Sequence, residues 1–337
     1  MNLIRVSTSI LKTCMNLQAG ETVLVITDDE KLEIGEIFYR AAKEMGTDAM
    51  LLTMSPREVS GEEPPAAIAA AMLNADVVLC PMSTSITHTN AKINAAKAGV
   101  RIATMPGLTK EMMYQGAMTA DYDQVMALTE QVTSLLTAAR TARIEKDGHV
   151  LTLDLSGRPG IPSTGIYRNK GQAGNLPSGE AYIAPLEHGS NGSMIIDGAV
   201  AGLGLLSSPL MIKVNNGRLT EISGEDAARL EVLLRNERNA TLCELGIGTN
   251  PAAKLIGNLL EDEKAFHTVH VAFGSNTGFG GINKADCHID GIIRNPTLYL
   301  DDLLVMKAAI LSFDLQITTK KSCIYQHSIG NLSFRRQ

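Results

Sequence analysis

"RIEKDGHVLTLDLS", residues 143–156, is where the chain changes character. Two runs of alternating polar and apolar residues flank Asp147-Gly148, a dipeptide suited to the left-handed positions of a two-residue hairpin turn. "LMIKVNNGRLTEISG" (210–224) repeats the device around Asn216-Gly217. Upstream of residue 143 the pattern is different. "ETVLVITDD" (21–29) contains the continuous apolar run Val23-Leu24-Val25-Ile26, as expected of a strand covered on both faces. "LEIGEIFYRAAKEMG" (32–46) sets Ile34, Ile37, Phe38, Ala41 and Met45 on one helical face, with Gly46 as a stop. Strands at 48–54, 76–82 and 101–107 then alternate with helices at 65–75 and 90–100, and 121–142 reads as one more helix. Such βαβ alternation predicts a parallel sheet with helices on both faces. The expected fold is α/β: a doubly wound parallel-sheet domain over residues 1–142, then an α+β domain with antiparallel hairpins over 143–337.

The 337 residues are 45% apolar and 20% charged, with a net charge of −6. This composition suits a globular protein with a substantial core and argues against a nucleic-acid or anionic-membrane footprint. The five cysteines are widely spaced and form no Cys-x-x-Cys pair, which fits a reducing compartment better than a disulfide framework. No run matches a signal peptide or reaches the ~18 apolar residues of a membrane span, so the expectation is a cytoplasmic protein. The turn after the first strand, "TDDEKLEIG", lacks the glycines that let a backbone approach a pyrophosphate, and no P-loop occurs.

Residues of the metal-binding type gather in the second half. Glu180 follows a Pro-Ser-Gly turn in "GNLPSGEAY" (174–182). Glu244 lies in the apolar run of "TLCELGIGTNP" (241–251). His270 sits inside "FHTVHVAFG" (266–274), and His288 and Asp290 share one face of "CHIDG" (287–291). Each has a plainer reading. A Glu after a turn is usually solvated, a His between valines is usually a hydrogen-bonded core residue, and His-x-Asp is a weak motif. A carboxylate in an apolar strand is harder to dismiss, because burying it is costly unless it is paired or holds an ion. Two imidazoles with carboxylates suit Zn²⁺, Co²⁺, Mn²⁺ or Fe²⁺. Glu187 and His188, in "APLEHGSNG", are candidates for orienting a ligand or contacting substrate; a polar loop is the alternative. His88, after the third strand, sits where α/β sheets bind ligands, though a helix N-terminus explains it as well. No nucleophile elbow is present.

The motifs "NLPSGEAY", "CELGIGTNP", "VHVAFG" and "HID", in that order behind an α/β half, resemble the M29 family of metalloaminopeptidases, the aminopeptidase T and aminopeptidase S type. The resemblance spans roughly residues 5–305. It implies a two-domain protomer, usually a homodimer, with divalent metal held by Glu180, Glu244, His270, His288 and Asp290. The aminopeptidases carry a further Glu five residues before the strand histidine, where this chain has Ala265 beside Glu263 and Lys264. The pattern also looks like the branch that includes 2,5-dihydroxypyridine 5,6-dioxygenases, in which two histidines and an aspartate hold one Fe²⁺. His270, His288 and Asp290 match that set.

Two chemistries are therefore expected of one residue set. In the leading one, Zn, Co or Mn activates a water against an N-terminal peptide bond, with Glu180 or Glu244 as general base. In the other, Fe(II) on His270, His288 and Asp290 supports ring-cleaving oxygenation, and Glu180 and Glu244 bind substrate or move protons. A non-catalytic small-molecule binding member of the fold is a third option. The expected partners are a small molecule or short peptide, with no nucleic acid and no membrane.

Overall fold

The apolar run at 23–26 becomes an interior strand of a five-stranded parallel sheet. Its strands are β1 (Thr22–Asp28), β2 (Asp48–Met54), β3 (Val77–Met82), β4 (Arg101–Pro106) and a short edge strand, Ala173–Asn175, in the order β2-β1-β3-β4-edge. The coordinates are a computed structural model and describe residues 3–307 and 310–311. Helices cover both faces of the sheet. Val23, Val25, Val77 and Leu79 pack against α1 (Leu3–Thr13), α2 (Leu32–Glu44) and α5 (Lys110–Gln115). Leu24, Ile26, Val78 and Cys80 pack against α3 (Ala66–Met72) and α4 (Asn90–Lys97). Successive residues of one strand thus serve opposite cores, which is why these strands read as unbroken apolar runs. The stretch 121–142 is not one helix. α6 (Tyr122–Ala138) is capped by the Asp121 side chain and ends before Thr141, where a strand begins.

Both predicted hairpins form. Strands Thr141–Lys146 and His149–Asp154 join through Asp147 and Gly148, with φ of 48° and 82°. Leu210–Asn215 and Arg218–Ser223 join through Asn216 and Gly217, at 49° and 76°. They belong to an eight-stranded antiparallel sheet. A second antiparallel sheet of seven strands packs face to face with it. Their shared core takes Ile144, Leu151, Met194 and Ile212 from the first sheet and Ile183, Leu245, Ile247, Val269, Val271 and Ile293 from the second. The chain beyond 143 returns once to the parallel sheet: edge strand Ala173–Asn175 runs through a cis Leu176–Pro177 peptide straight into strand Glu180–Ile183 of the seven-stranded sheet. Among the described residues no helix is long and apolar enough to cross a membrane. Polar/apolar alternation in the tail 307–337 predicts an added edge strand or a cover over a neighbouring subunit, with a loosely ordered tail as the alternative; apart from the short pairing of Ile310–Leu311 with Met306 and Lys307, the tail lies outside the described residues. His327, which reads from the sequence as a surface position, also lies outside them.

Candidate metal centre

Four neighbouring strands of the seven-stranded sheet carry the five ligand-type residues: Glu180–Ile183, Leu242–Gly248, Thr268–Gly274 and His288–Arg294. Their register places the side chains. Gly248 pairs with Glu180, and Gly246 pairs with both Tyr182 and His270. Ala272 pairs with both Glu244 and Asp290, and Gly274 pairs with His288. Residues opposite one another in antiparallel strands share a face. Glu180, Tyr182, Glu244, His270, His288 and Asp290 therefore all rise from the face turned away from the sandwich core.

A register shift puts Glu244 there. Leu242 pairs with Phe273 on the core face, yet two residues later Glu244 pairs with Ala272 on the site face, so Cys243 is the extra residue of a bulge. Strict alternation would have set Leu242 and Glu244 on the same side. Gly246 leaves room for the imidazole. A Cβ at that position would lie 1.9 Å from His270 Nε2. The turn before Glu180 needs Gly179, with φ of 121° and an ideal Cβ 2.7 Å from that of Asn250. Glu180 is thus not the solvated residue that its turn suggests; it is 7% exposed.

The geometry is tight. Ligand atoms of Glu244, His270 and Asp290 all lie within 4.8 Å of one another. Glu244 bridges the imidazoles, with Oε1 at 3.3 Å from His270 Nε2 and Oε2 at 3.3 Å from His288 Nε2. His288 Nε2 is also 3.4 Å from Asp290 Oδ1, and His270 Nε2 is 3.7 Å from Glu180 Oε2. His288 Nδ1 is 2.9 Å from the Ser275 carbonyl, which can only accept a hydrogen bond. Nδ1 therefore carries the proton, and in the neutral ring Nε2 offers its lone pair to the cluster. Of the five residues, His288 is the one at the opening, its side chain 34% exposed.

The electrostatics follow from burial and proximity. Burial opposes the charge on His270, but Glu244, Glu180 and Asp290 overcome it and raise its pKa to about 9. Burial opposes the His288 charge as well; Asp290, then Cys243 and Glu244, drive that pKa well up. Glu244 resists its own desolvation through the two imidazoles and falls to about 2. Without metal the cluster holds protons in the place of a cation. A divalent ion would displace them, because it takes neutral imidazole and carboxylate. Convergent donors of the right type, together with the buried and unpartnered Oε2 of Glu180, fit such an ion.

Other expected residues take different places. Glu187 is buried, and its carboxylate is spent on the loop 276–282 rather than on a cluster histidine. Oε1 accepts from Asn276 Nδ2 (3.1 Å) and the Ile282 amide (2.8 Å), and Oε2 accepts from Arg158 (2.6 Å). That loop holds Phe279 5.3 Å from the Tyr182 ring and 6.1 Å from the His288 ring. His188 is exposed. His88 precedes Thr89, which caps α4. Burial, Lys92 and the charge on His288 together hold its pKa below the usual value. Sequence reasoning passed over Lys264 as a ligand partner. Its ammonium lies 2.8 Å from Glu180 Oε1 and also pairs with Glu263. Burial opposes its charge, but these carboxylates hold its pKa well above the usual range, while burial lifts Glu263 to about 7.

The 2,5-dihydroxypyridine dioxygenase of Pseudomonas putida superposes on this chain with a TM-score of 0.74 at 19% identity, over 92% of this chain and 96% of that one. Wild-type AmpT from Thermus thermophilus superposes at 0.70 and 17% identity, over 92% and 99%. At these identities the likeness shows a shared fold. The curated 2,5-dihydroxypyridine 5,6-dioxygenase of Pseudomonas putida is 26% identical over 204 residues, 54% of this chain and 56% of the relative, so the match spans about half the relative's length. The expectation of an M29-type aminopeptidase is corrected by the family match. The same carboxylates and histidines serve either chemistry, but the family whose model covers residues 2–312 is described as 2,5-dihydroxypyridine 5,6-dioxygenase (NicX), and the chain belongs to that family.

Proposed function

We propose that the chain is a mononuclear Fe(II)-dependent ring-cleaving dioxygenase acting on a dihydroxylated pyridine or a closely related hydroxylated aromatic. The observation that carries this reading is the convergence of His270, His288 and Asp290 on one sheet face, in a chain of this family. These three residues would hold the ion, with Glu244 as a further donor between the imidazoles. Fe(II) bound there would supply open positions for an aromatic diol and dioxygen, and a path for electrons from the ring to the oxygen.

The chain's own groups shape the rest. Tyr182 and Phe279 meet edge to face at 77° and form an aromatic wall beside His288, suited to a planar ring. Burial, then the charges of Glu180 and Glu244, keep the Tyr182 phenol protonated, so it acts as a donor. Glu180 Oε2 has no hydrogen-bond partner among the described residues and is placed to accept a proton from a substrate hydroxyl. His270 and Glu244 are shut off from water, and substrate enters on the His288 side.

The test is anaerobic loading with Fe(II), then addition of air-saturated buffer and 2,5-dihydroxypyridine. Oxygen uptake equimolar with loss of the aromatic absorbance is expected. A fully loaded protein that consumes no oxygen with this or related hydroxylated rings would overturn the reading.

A further inference from the structure

Lys264 is among the largest fully buried side chains of the molecule, at 2% exposure, and its ammonium sits against the carboxylate cluster. An ammonium has three donors and no acceptor, and burying one is costly unless negative groups surround it. Glu180 Oε1 lies 2.8 Å away, and Glu263 closes the other side. The backbone fixes the position. Lys264 follows the short helix Leu259–Asp262, its amide donates to the Glu261 carbonyl, and its own carbonyl accepts from Asn250. Gly248 permits this approach, since a Cβ there would lie 2.0 Å from the Ala265 carbonyl oxygen.

Glu180 faces two ways as a result. Oε1 is taken by the ammonium, while Oε2 is buried without a hydrogen-bond partner among the described residues and faces His270 Nε2 at 3.7 Å. A second divalent ion beside the one held by His270 would need Glu180 Oε1 and Glu263 as donors. It would have to enter next to a fixed positive charge that already holds both.

We propose that Lys264 is a built-in monovalent cation that fills one half of the carboxylate cluster and so limits the centre to a single divalent ion. The inference rests on the reading of the cluster as a metal centre, but not on the reaction it performs. It assigns the lysine a positioning role: it neutralises Glu180 and aims the free oxygen of that residue at the centre.

The probe is Mn²⁺ alone, added to chelator-treated full-length protein, with bound metal measured by equilibrium dialysis and elemental analysis. Wild type is expected to bind one Mn²⁺ per chain and to show the electron paramagnetic resonance signal of an isolated ion. Lys264→Ala is expected to bind two, with the signal of an exchange-coupled pair, and Lys264→Arg to bind one. Two ions in wild type would overturn the proposal, and so would a single ion in folded Lys264→Ala. If Lys264→Ala is unfolded without metal, refolding with two Mn²⁺ bound supports the proposal; refolding with one, or none, overturns it. One ion in wild type and two in the variant, with no oxygen uptake by the Fe(II) form, would count against the dioxygenase reading while leaving the role of Lys264 supported.

Discussion

The two halves of the carboxylate cluster share one sheet face but neutralise their charge differently. On one side, Glu180 and Glu263 close around the Lys264 ammonium, a cation that is part of the chain. On the other, Glu244 and Asp290 face His270 and His288, whose protons can leave. Buried carboxylates need a cation in either case. The lysine side is permanently filled. The histidine side holds protons that can leave, and in the proposed reading an external ion takes their place.

The strongest way to break this contrast is to empty the filled side. Lys264→Met leaves the buried Glu180 and the partly buried Glu263 without their counter-ion. It is expected to destabilise the metal-free protein by ~3–5 kcal/mol, the usual cost of breaking a buried pair, as measured by denaturant unfolding in chelator. A loss within experimental error would mean that the pair is solvated. On the other side, His288→Ala should weaken divalent-metal binding by about 100-fold or more. The fold should survive because the side chain is partly exposed, and unchanged metal content would remove His288 from the centre. Gly246→Ala should act on the same side with a smaller effect. Its Cβ must push His270 Nε2 aside, at a cost of ~1–3 kcal/mol in overpacking, with a matching fall in metal affinity. Full affinity with an unshifted melting temperature would show that the imbalance in space is absorbed elsewhere.

The smallest effect sharpens the contrast through pH. In metal-free protein the raised His270 pKa contributes stability that is fully present below the ordinary value of 6.5 and is lost as pH rises through about 9. The lowered Glu244 pKa contributes stability present above 4.5 and lost as pH falls towards about 2. The metal-free melting temperature should therefore fall between pH 6.5 and 9. The metal-loaded form should not show that fall, because its imidazoles are already neutral. A metal-free profile that is flat or rises over this range would show that the imidazole protons are not held by the carboxylates.

Much of the fold was legible because its signals are local. A strand buried on both faces reads as an apolar run, and β2 matches its sequence reading to the residue at 48–54. The Asp147-Gly148 and Asn216-Gly217 turns were legible because positive φ selects those residue types. The five ligand-type residues were legible as types out of place: a carboxylate among leucines, a histidine between valines. What escaped depends on register and on distant neighbours. Nothing in "TLCELGIG" announces a bulge at Cys243. Lys264 looked like a bystander at a missing ligand, because its partner Glu180 is 84 positions away. Glu187 was read as a residue that orients a ligand or contacts substrate, but its carboxylate is taken by Arg158 and by a loop some ninety residues further on. The choice between hydrolysis and oxygenation turned on a partial signal: Ala265 in place of a further Glu pointed to oxygenation, while the presence of both Glu180 and Glu244 pointed to hydrolysis.

The bulge at Cys243 has a consequence for how this centre can change over evolutionary time. Along a pleated strand, parity decides whether a side chain meets oil or ions, and the added residue inverts that parity between Leu242 and Glu244. Deleting the bulge residue itself would leave Leu242 opposite Phe273 and Glu244 opposite Ala272 on their present faces, whereas a one-residue deletion between Glu244 and Gly248 would turn over the residues beyond it. The length of the strand is thus free to change by one residue at Cys243 and constrained beyond Glu244, while point substitutions at the rim, at Phe279 or Tyr182, leave the phase intact. The rim can therefore vary without altering the spacing of the carboxylates and imidazoles behind it.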